Sequence, residues 1–98
     1  MERIEGKTAP NKPWAISRVA VLTEMREEVE RAKVHGAKFA SLHEAYAVIL
    51  EELDEVWEIA RQKRRDRDPV ALYKELIQLG AMAVKAIDSM ENFVGGTV

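Results

Sequence analysis

Two pairs of polar residues, made up of three glutamates and one glutamine, have the same spacing in this 98-residue chain. Glu52 and Glu55 lie three residues apart in a largely apolar stretch, and Glu75 and Gln78 repeat that offset further along. Residues three apart share a face of an α-helix, so each pair points to one side of its own helix. Carboxylates on an apolar face are costly to bury unless something compensates their charge, and Mg²⁺ is the usual partner of several clustered oxygens. The spacing therefore predicts a metal site formed by Glu52, Glu55, Glu75 and the amide oxygen of Gln78.

Apolar neighbours extend both pairs into longer stripes along their helices. Offsets of 0, 4, 7 and 11 are occupied first by Val48, Glu52, Glu55 and Ile59, and then by Ala71, Glu75, Gln78 and Met82. The alternative is that these glutamates are simply exposed, which is common in helices rich in Glu and Lys. The apolar residues at both ends of each stripe favour a cavity over a solvated face.

Length and composition indicate one small helical domain. The chain is 47% hydrophobic and 33% charged, as is ordinary for a helix-rich soluble protein. A net charge of −2 argues against a nucleic-acid partner, because such binders are usually basic. The absence of cysteine excludes a disulfide framework and a thiolate zinc site. Without a long apolar run or a hydrophobic leader segment, we expect a cytoplasmic protein with no membrane partner.

Helical periodicity predicts an all-α chain with about three long helices and no strand. The first helix is expected over residues 15–35, with Gly36 as its C-cap. The second begins at a capping box, Ser41 to Glu44, and the third begins at Asp68–Pro69 and runs to about residue 92. Residues 1–13 are predicted to form an irregular arm, residues 14–94 a single helical domain, and residues 95–98 a flexible tail.

Each helix also carries a predicted core stripe. On the second helix these residues are Leu42, Tyr46, Ile49, Leu53, Val56 and Ala60, and on the third they are Leu72, Leu76, Leu79, Ala83, Ala86 and Met90. The acidic stripes lie about 100° round from them. The charged residues of the first helix are predicted to form a solvated face that includes Glu24, Arg26, Glu27, Glu28, Glu30, Arg31 and Lys33. Gly80, Ala81 and Ala83 are small enough for another helix to approach closely. The surplus apolar surface predicts a helical bundle completed by oligomerisation, as a homodimer or homotetramer.

The residues around the two acidic pairs resemble a known family. Glu51-Glu52-Leu53-Asp54-Glu55, followed by Glu75-Leu76-Ile77-Gln78, is similar to the E-x-x-E…E-x-x-D signature of MazG-like, all-α nucleoside triphosphate pyrophosphohydrolases. Residues 39–46 and 79–83 are also typical of small single-domain members, so the resemblance covers about residues 38–90. Gln78 stands at the position of the family's aspartate. An amide oxygen can still bind a metal, but without a full charge it should bind more weakly.

The resemblance implies Mg²⁺-dependent cleavage of an NTP or dNTP to the monophosphate and pyrophosphate, in nucleotide-pool housecleaning. It implies that the metal, Mg²⁺ or Mn²⁺, is bound by the four residues named above. Glu51, or the neighbouring Glu52, is then the candidate general base for water. Lys85 lies seven residues beyond Gln78 and is a candidate contact for a substrate phosphate, the alternative being a lysine that snorkels near a helix end. Glu44 is a candidate substrate contact at the rim.

Two other functions remain open from the sequence. The first is a catalytically weak or inactive MazG-like helical oligomer that binds a nucleotide or another protein. The second is a plain helical interaction module whose acidic residues lie on its surface.

Overall fold

The computed structural model describes residues 12–94, which fold into helices joined by short turns. Helix α1 spans Arg18–Ala32 and continues into a single 3₁₀ turn, α2 spans Leu42–Ala60, α3 spans Pro69–Asp88 and α4 spans Met90–Phe93. Residues 12–94 contain no strand, which confirms the all-α class. Most of the predicted arm and the whole predicted tail lie outside the described residues. None of the described helices combines the length and apolar composition that crossing a membrane requires.

Side-chain caps set the ends of α1. The Ser17 hydroxyl accepts a hydrogen bond from the Ala20 backbone N–H at 3.1 Å, so the helix begins at Arg18, three residues later than predicted. Its 3₁₀ extension ends at Gly36, which has a φ of 111°. Glycine adopts this backbone region at no steric cost, and the predicted C-cap is confirmed.

The starts of α2 and α3 follow their predicted signals. The Ser41 hydroxyl accepts from the Glu44 N–H at 3.1 Å, as in a capping box. The Glu44 carboxylate reaches one residue further back than that motif requires and accepts from the Ala40 N–H at 2.7 Å. Asp68 caps α3 by accepting from two N–H groups of its first turn, at 2.9 and 3.2 Å. Between the helices, Arg67 donates to the Ala60 carbonyl oxygen at 2.6 Å and so closes the end of α2.

Helix α3 is the central element, because α1 and α2 both pack against it. All three long helices and the loop before α2 contribute to the main buried cluster, which consists of Val29, Phe39, Ala45, Ala81 and Met82. Ile59 and Ile77 are also buried. Ala45 and Ala81 are almost fully buried, and their small side chains let the helices approach closely. At Gly80 an added Cβ would lie 2.5 Å from the Met25 Cε, so α1 packs directly over this glycine. This contact confirms the predicted close approach.

The predicted core stripes of α2 and α3 were largely wrong for the single chain. Leu42, Tyr46 and Leu53 on α2 are 57%, 66% and 48% exposed, and Leu76 and Met90 of the third-helix stripe are also exposed. The acidic stripes face inward instead, since Ile59 and Met82 at their ends are buried. The physical reason is close packing: Ala45 and Ala81 on the inward side are small enough to be almost fully buried between the helices, whereas most residues of the predicted stripes are large.

A buried polar link holds the loop before α2 against the end of α3. The Ser89 side chain is fully buried, accepts from the Phe39 N–H at 2.8 Å and donates to the Lys85 carbonyl oxygen at 2.7 Å. The Asn92 amide donates to the Phe39 carbonyl oxygen at 2.9 Å. Both polar groups of the Phe39 backbone are therefore satisfied by side chains, which lets the ring enter the core.

We expect Ser89→Ala to lower the free energy of unfolding by about 1–3 kcal/mol, because it leaves the Phe39 N–H buried without a partner. Urea denaturation measures the change. The matched control is Lys38→Ala, which breaks an exposed 2.9 Å ion pair with Glu91 between the same two segments and should have little effect. Equal losses in both variants would contradict the importance of the buried link.

Candidate metal centre

The α2–α3 hairpin brings the two acidic stripes together. The connection between the helices is short, so they run antiparallel and their inward faces oppose each other. One carboxylate oxygen from each of Glu52, Glu55 and Glu75 lies within 4.8 Å of the other two. Three of the four predicted metal ligands thus form one cluster, which we call the acidic cluster.

Two oxygens of the acidic cluster are buried without a partner. Glu52 Oε1 and Glu75 Oε1 are out of contact with solvent and accept no hydrogen bond from the described residues. Within residues 12–94, no ion pair joins a cluster member to a lysine or arginine. A buried carboxylate oxygen without a donor is unfavourable, so the cluster requires either a proton or a cation.

The surroundings of the acidic cluster favour its protonated form. Burial raises the pKa of Glu75 to about 7. Glu55 and Glu52 act in the same direction, because each can accept a hydrogen bond from protonated Glu75 and each carries negative charge. Burial also raises the pKa of Glu52, and the charges of Glu55, Glu51 and Glu28 add to that effect, although a hydrogen bond accepted from protonated Glu75 opposes it. The crowded carboxylates therefore retain a proton at a pH where an isolated glutamate is ionised.

The donor set of the acidic cluster fits a hard divalent cation. It consists of carboxylate oxygens alone, which suits Mg²⁺ or Mn²⁺ rather than a metal that prefers nitrogen or sulfur. Oxygens bound to one octahedral Mg²⁺ lie roughly 3–4 Å apart, given metal–oxygen distances of 2.0–2.1 Å. Small rotations of the three side chains would bring their oxygens into that range. A cation would also compensate the two unpartnered oxygens.

The other predicted site residues differ in their distance from the cluster. Gln78 lines a cavity of about 370 Å³ together with Glu52 and Met82. Glu51 is exposed beside the cluster. Glu44 is exposed and caps α2, two turns before Glu52, so its substrate role stays a prediction.

Lys85 has an unexpected environment. Its side chain is buried, and its Nζ lies 4.6 Å from the centroid of the Phe39 ring. This is cation–π geometry. Lys85 is two turns beyond Gln78, about 10 Å along the helix axis. A phosphate contact from this position stays a prediction.

Helix α1 also contributes to the site, which the sequence did not predict. Glu28, Arg31 and His35 line the same 370 Å³ cavity as Glu52 and Gln78, and the Glu28 side chain is only 21% exposed. The expected solvated face therefore includes residues that face the site. A signal was available, because one set of α1 residues follows the offsets 0, 4, 7 and 11 of the two acidic stripes: Glu24, Glu28, Arg31 and His35. It was missed because this set contains no apolar residue.

Ordered polar contacts fix this face of α1. Arg31 Nε and Nη2 donate to Glu28 Oε1 at 3.1 and 2.7 Å. The Tyr73 hydroxyl of α3 donates to Glu24 Oε1 at 2.5 Å, and burial together with this bond raises the pKa of Tyr73 to about 12. These residues also line a second cavity of about 580 Å³ between α1 and α3.

No protein-family model matches this chain, and no curated protein or solved structure is significantly similar to it. The resemblance to MazG-like enzymes therefore stays a prediction. The case for a function rests on the acidic cluster, its two unpartnered oxygens and the cavity beside it.

We expect the acidic cluster to make stability depend on pH in the metal-free protein. The unfolded chain loses the Glu75 proton near pH 4.5, whereas the folded chain keeps it until about pH 7. Stability from this group should therefore be greatest below pH 4.5, fall between pH 4.5 and 7, and stay low above that window. Millimolar Mg²⁺ should stabilise most above about pH 7, because a metal binds the deprotonated carboxylates.

Melting temperatures measured across this pH range, with EDTA or with Mg²⁺, provide the test. Glu75→Gln should remove both the pH-dependent component and most of the Mg²⁺ effect. Asp54→Asn is the matched control, since Asp54 is exposed on the same helix as Glu52 and outside the cluster. If wild type and Glu75→Gln differ by the same amount at every pH, Glu75 does not titrate as described.

Proposed function

We propose that this protein is a Mg²⁺-dependent nucleoside triphosphate pyrophosphohydrolase, which converts an NTP or dNTP to the monophosphate and pyrophosphate. The observation that carries the proposal is the convergence of Glu52, Glu55 and Glu75 with two buried oxygens that lack partners. A bound divalent cation supplies charge neutralisation for the polyphosphate and polarisation of the phosphorus. The sequence pattern around the cluster supports the same reaction class through its resemblance to MazG-like enzymes.

The residues of the chain have separate tasks in this proposal. Glu52, Glu55 and Glu75 hold the cation, and Gln78, which lines the same cavity as Glu52, completes the set. Glu51 is exposed next to the cluster and forms no hydrogen bond or ion pair with another described residue, so its carboxylate is available to accept a proton from water. The partly enclosed cavity beside Glu52 holds the phosphates close to these groups.

The proposal includes assembly with further copies of the chain. A row of large apolar side chains on α2 is between 39% and 66% exposed: Leu42, Tyr46, Leu50, Leu53 and Trp57. A contiguous apolar surface on so small a chain is typical of an interface. A homodimer or homotetramer would bury this row and complete the helical bundle. The cytoplasmic location expected from the sequence remains part of the proposal.

A second candidate is a helical oligomer that binds a nucleotide or a protein without hydrolysing it. One observation favours it: Gln78 replaces a carboxylate at the position of α3 that matches Glu55 on α2. With a carboxylate at position 78, each of the two helices would contribute two ionisable ligands. The amide of Gln78 removes one of these charges, which weakens the attraction of the site for a cation.

We expect the wild-type protein to release pyrophosphate from at least one member of a panel of NTPs and dNTPs with Mg²⁺, and not with EDTA. Glu52→Gln should lower the rate by about 10- to 100-fold or more, because it removes a charged ligand. Asp54→Asn should leave the rate unchanged. No release with Mg²⁺ or Mn²⁺ from a protein that still binds nucleotide would favour the second candidate, and recovery in Gln78→Asp would show that the amide is the cause.

We also expect light scattering at micromolar concentration to show a species larger than the 11.1 kDa chain. Leu53→Glu should shift the mass towards the monomer, since it places a charge in the exposed apolar row. Val34→Glu is the matched control, because Val34 is 79% exposed at the end of α1 and outside that row. A monomeric wild type would contradict the proposed assembly.

A further inference from the structure

Two cavities adjoin one another along α1 and α3, and the smaller one reaches the acidic cluster at Glu52. The smaller has a volume of about 370 Å³ and reaches Glu52, and the larger has a volume of about 580 Å³ and extends towards Tyr73. Both are lined by Glu28, Arg31 and Gln78, so they meet at these residues. Their volumes lie in the usual range for small-molecule sites, roughly 300–1,000 Å³. We call this feature the α1–α3 groove.

Arg31 is placed where the two cavities meet. Its two hydrogen bonds to Glu28 use two of the five N–H donors of a guanidinium, which leaves three for a ligand. The side chain is 65% exposed, so a ligand in the groove can reach it. A planar guanidinium held at one edge is suited to phosphate, which it binds through paired hydrogen bonds.

The charges of the groove restrict what can occupy it. The larger cavity is lined by three acidic residues, Glu24, Glu27 and Glu28, and by two basic ones, Arg31 and Lys74. Glu52 of the acidic cluster lines the smaller cavity. An anion would therefore be repelled unless a cation first neutralised the cluster. A polyphosphate that reaches such a cation at Glu52 would find Arg31 and His35 as the nearest basic side chains of the smaller cavity.

Building on the proposed function, we infer that the α1–α3 groove binds the phosphate chain of the substrate and that Arg31 is its phosphate-binding residue. Glu28 is then a positioning residue, since its carboxylate holds the guanidinium at the junction of the two cavities. Lys85, the phosphate contact expected from the sequence, lines neither cavity and has its ammonium over the Phe39 ring. Helix α1 thus takes part in substrate binding as well as in packing.

Calorimetric titration of the intact protein with inorganic tripolyphosphate tests the inference. This probe has the phosphates of every NTP and no base, so the unknown base preference does not affect it. Wild type should bind it with Mg²⁺ and not with EDTA. Arg31→Gln should weaken binding by about tenfold or more, the effect of losing a charged hydrogen bond, and Arg31→Lys should lie between the two. Arg26→Gln, at an exposed α1 position outside both cavities, should bind like wild type.

A parallel titration with Mg²⁺ alone separates the possible failures. Arg31→Gln should not lower the affinity for Mg²⁺, because Arg31 does not belong to the acidic cluster. If Arg31→Gln and Arg26→Gln bind tripolyphosphate equally, or if Arg31→Gln loses Mg²⁺ affinity in parallel, the inference is overturned while the proposed function stands. If wild type binds neither tripolyphosphate nor any NTP in the presence of Mg²⁺, the proposed function falls together with the inference.

Discussion

Three carboxylates held within 4.8 Å of one another are the constraint on which the rest of this structure depends. Like charges at this distance repel, and two of the oxygens are buried with no donor among the described residues. The acids do not hold themselves together. Their positions are imposed by the close contact of α2 and α3 at Ala45 and Ala81, so packing energy maintains an arrangement that the charges oppose. A cluster maintained in this way gains stability from any cation or proton that enters it.

Helix α3 connects the acidic cluster to the other parts of the fold through its packing contacts and hydrogen bonds. Its inward face supplies Glu75, its glycine at position 80 accepts Met25 from α1, and its C-terminal end accepts the loop before α2 through Ser89. Each contact helps to fix the rotation of α3 about its own axis. Successive residues of an α-helix are about 100° apart, and a rotation of α3 by that angle would carry Glu75 out of the cluster. The buried link at Ser89 is therefore part of the site's architecture, although it lies more than three turns from Glu75.

The sequence predicts the fold well where local chemistry decides the outcome. Ser41, Asp68 and Gly36 mark helix ends because each satisfies backbone groups or adopts a conformation that other residues avoid. The convergence of Glu52 with Glu75 also followed from spacing, since a short connection makes two amphipathic helices antiparallel.

The choice of the buried face could not be predicted in the same way. Leu53 and Trp57 are more hydrophobic than Ala45 and Val48, yet the side with the smaller residues faces the core. Periodicity ranks stripes by hydrophobicity, whereas the contact between α2 and α3 selects for small side chains at the points of closest approach. Hydrophobic periodicity could not identify the polar stripe of α1 either, because that stripe contains no apolar residue. Glu28 and Arg31 form an ion pair, and a paired face can pack beside a cavity where a single charge could not.

The two sides of α2 keep the acidic cluster apart from any assembly of the chain. Glu52 and Leu53 are adjacent in sequence, so their side chains point about 100° apart on one rigid helix, and Glu55 points about 160° away from Leu53. A second copy that covered the apolar row at Leu53 would therefore leave the acidic side of α2 facing α3. Assembly and cation binding would remove separate costs that the isolated chain has to bear: exposed apolar surface in one case and uncompensated charge in the other.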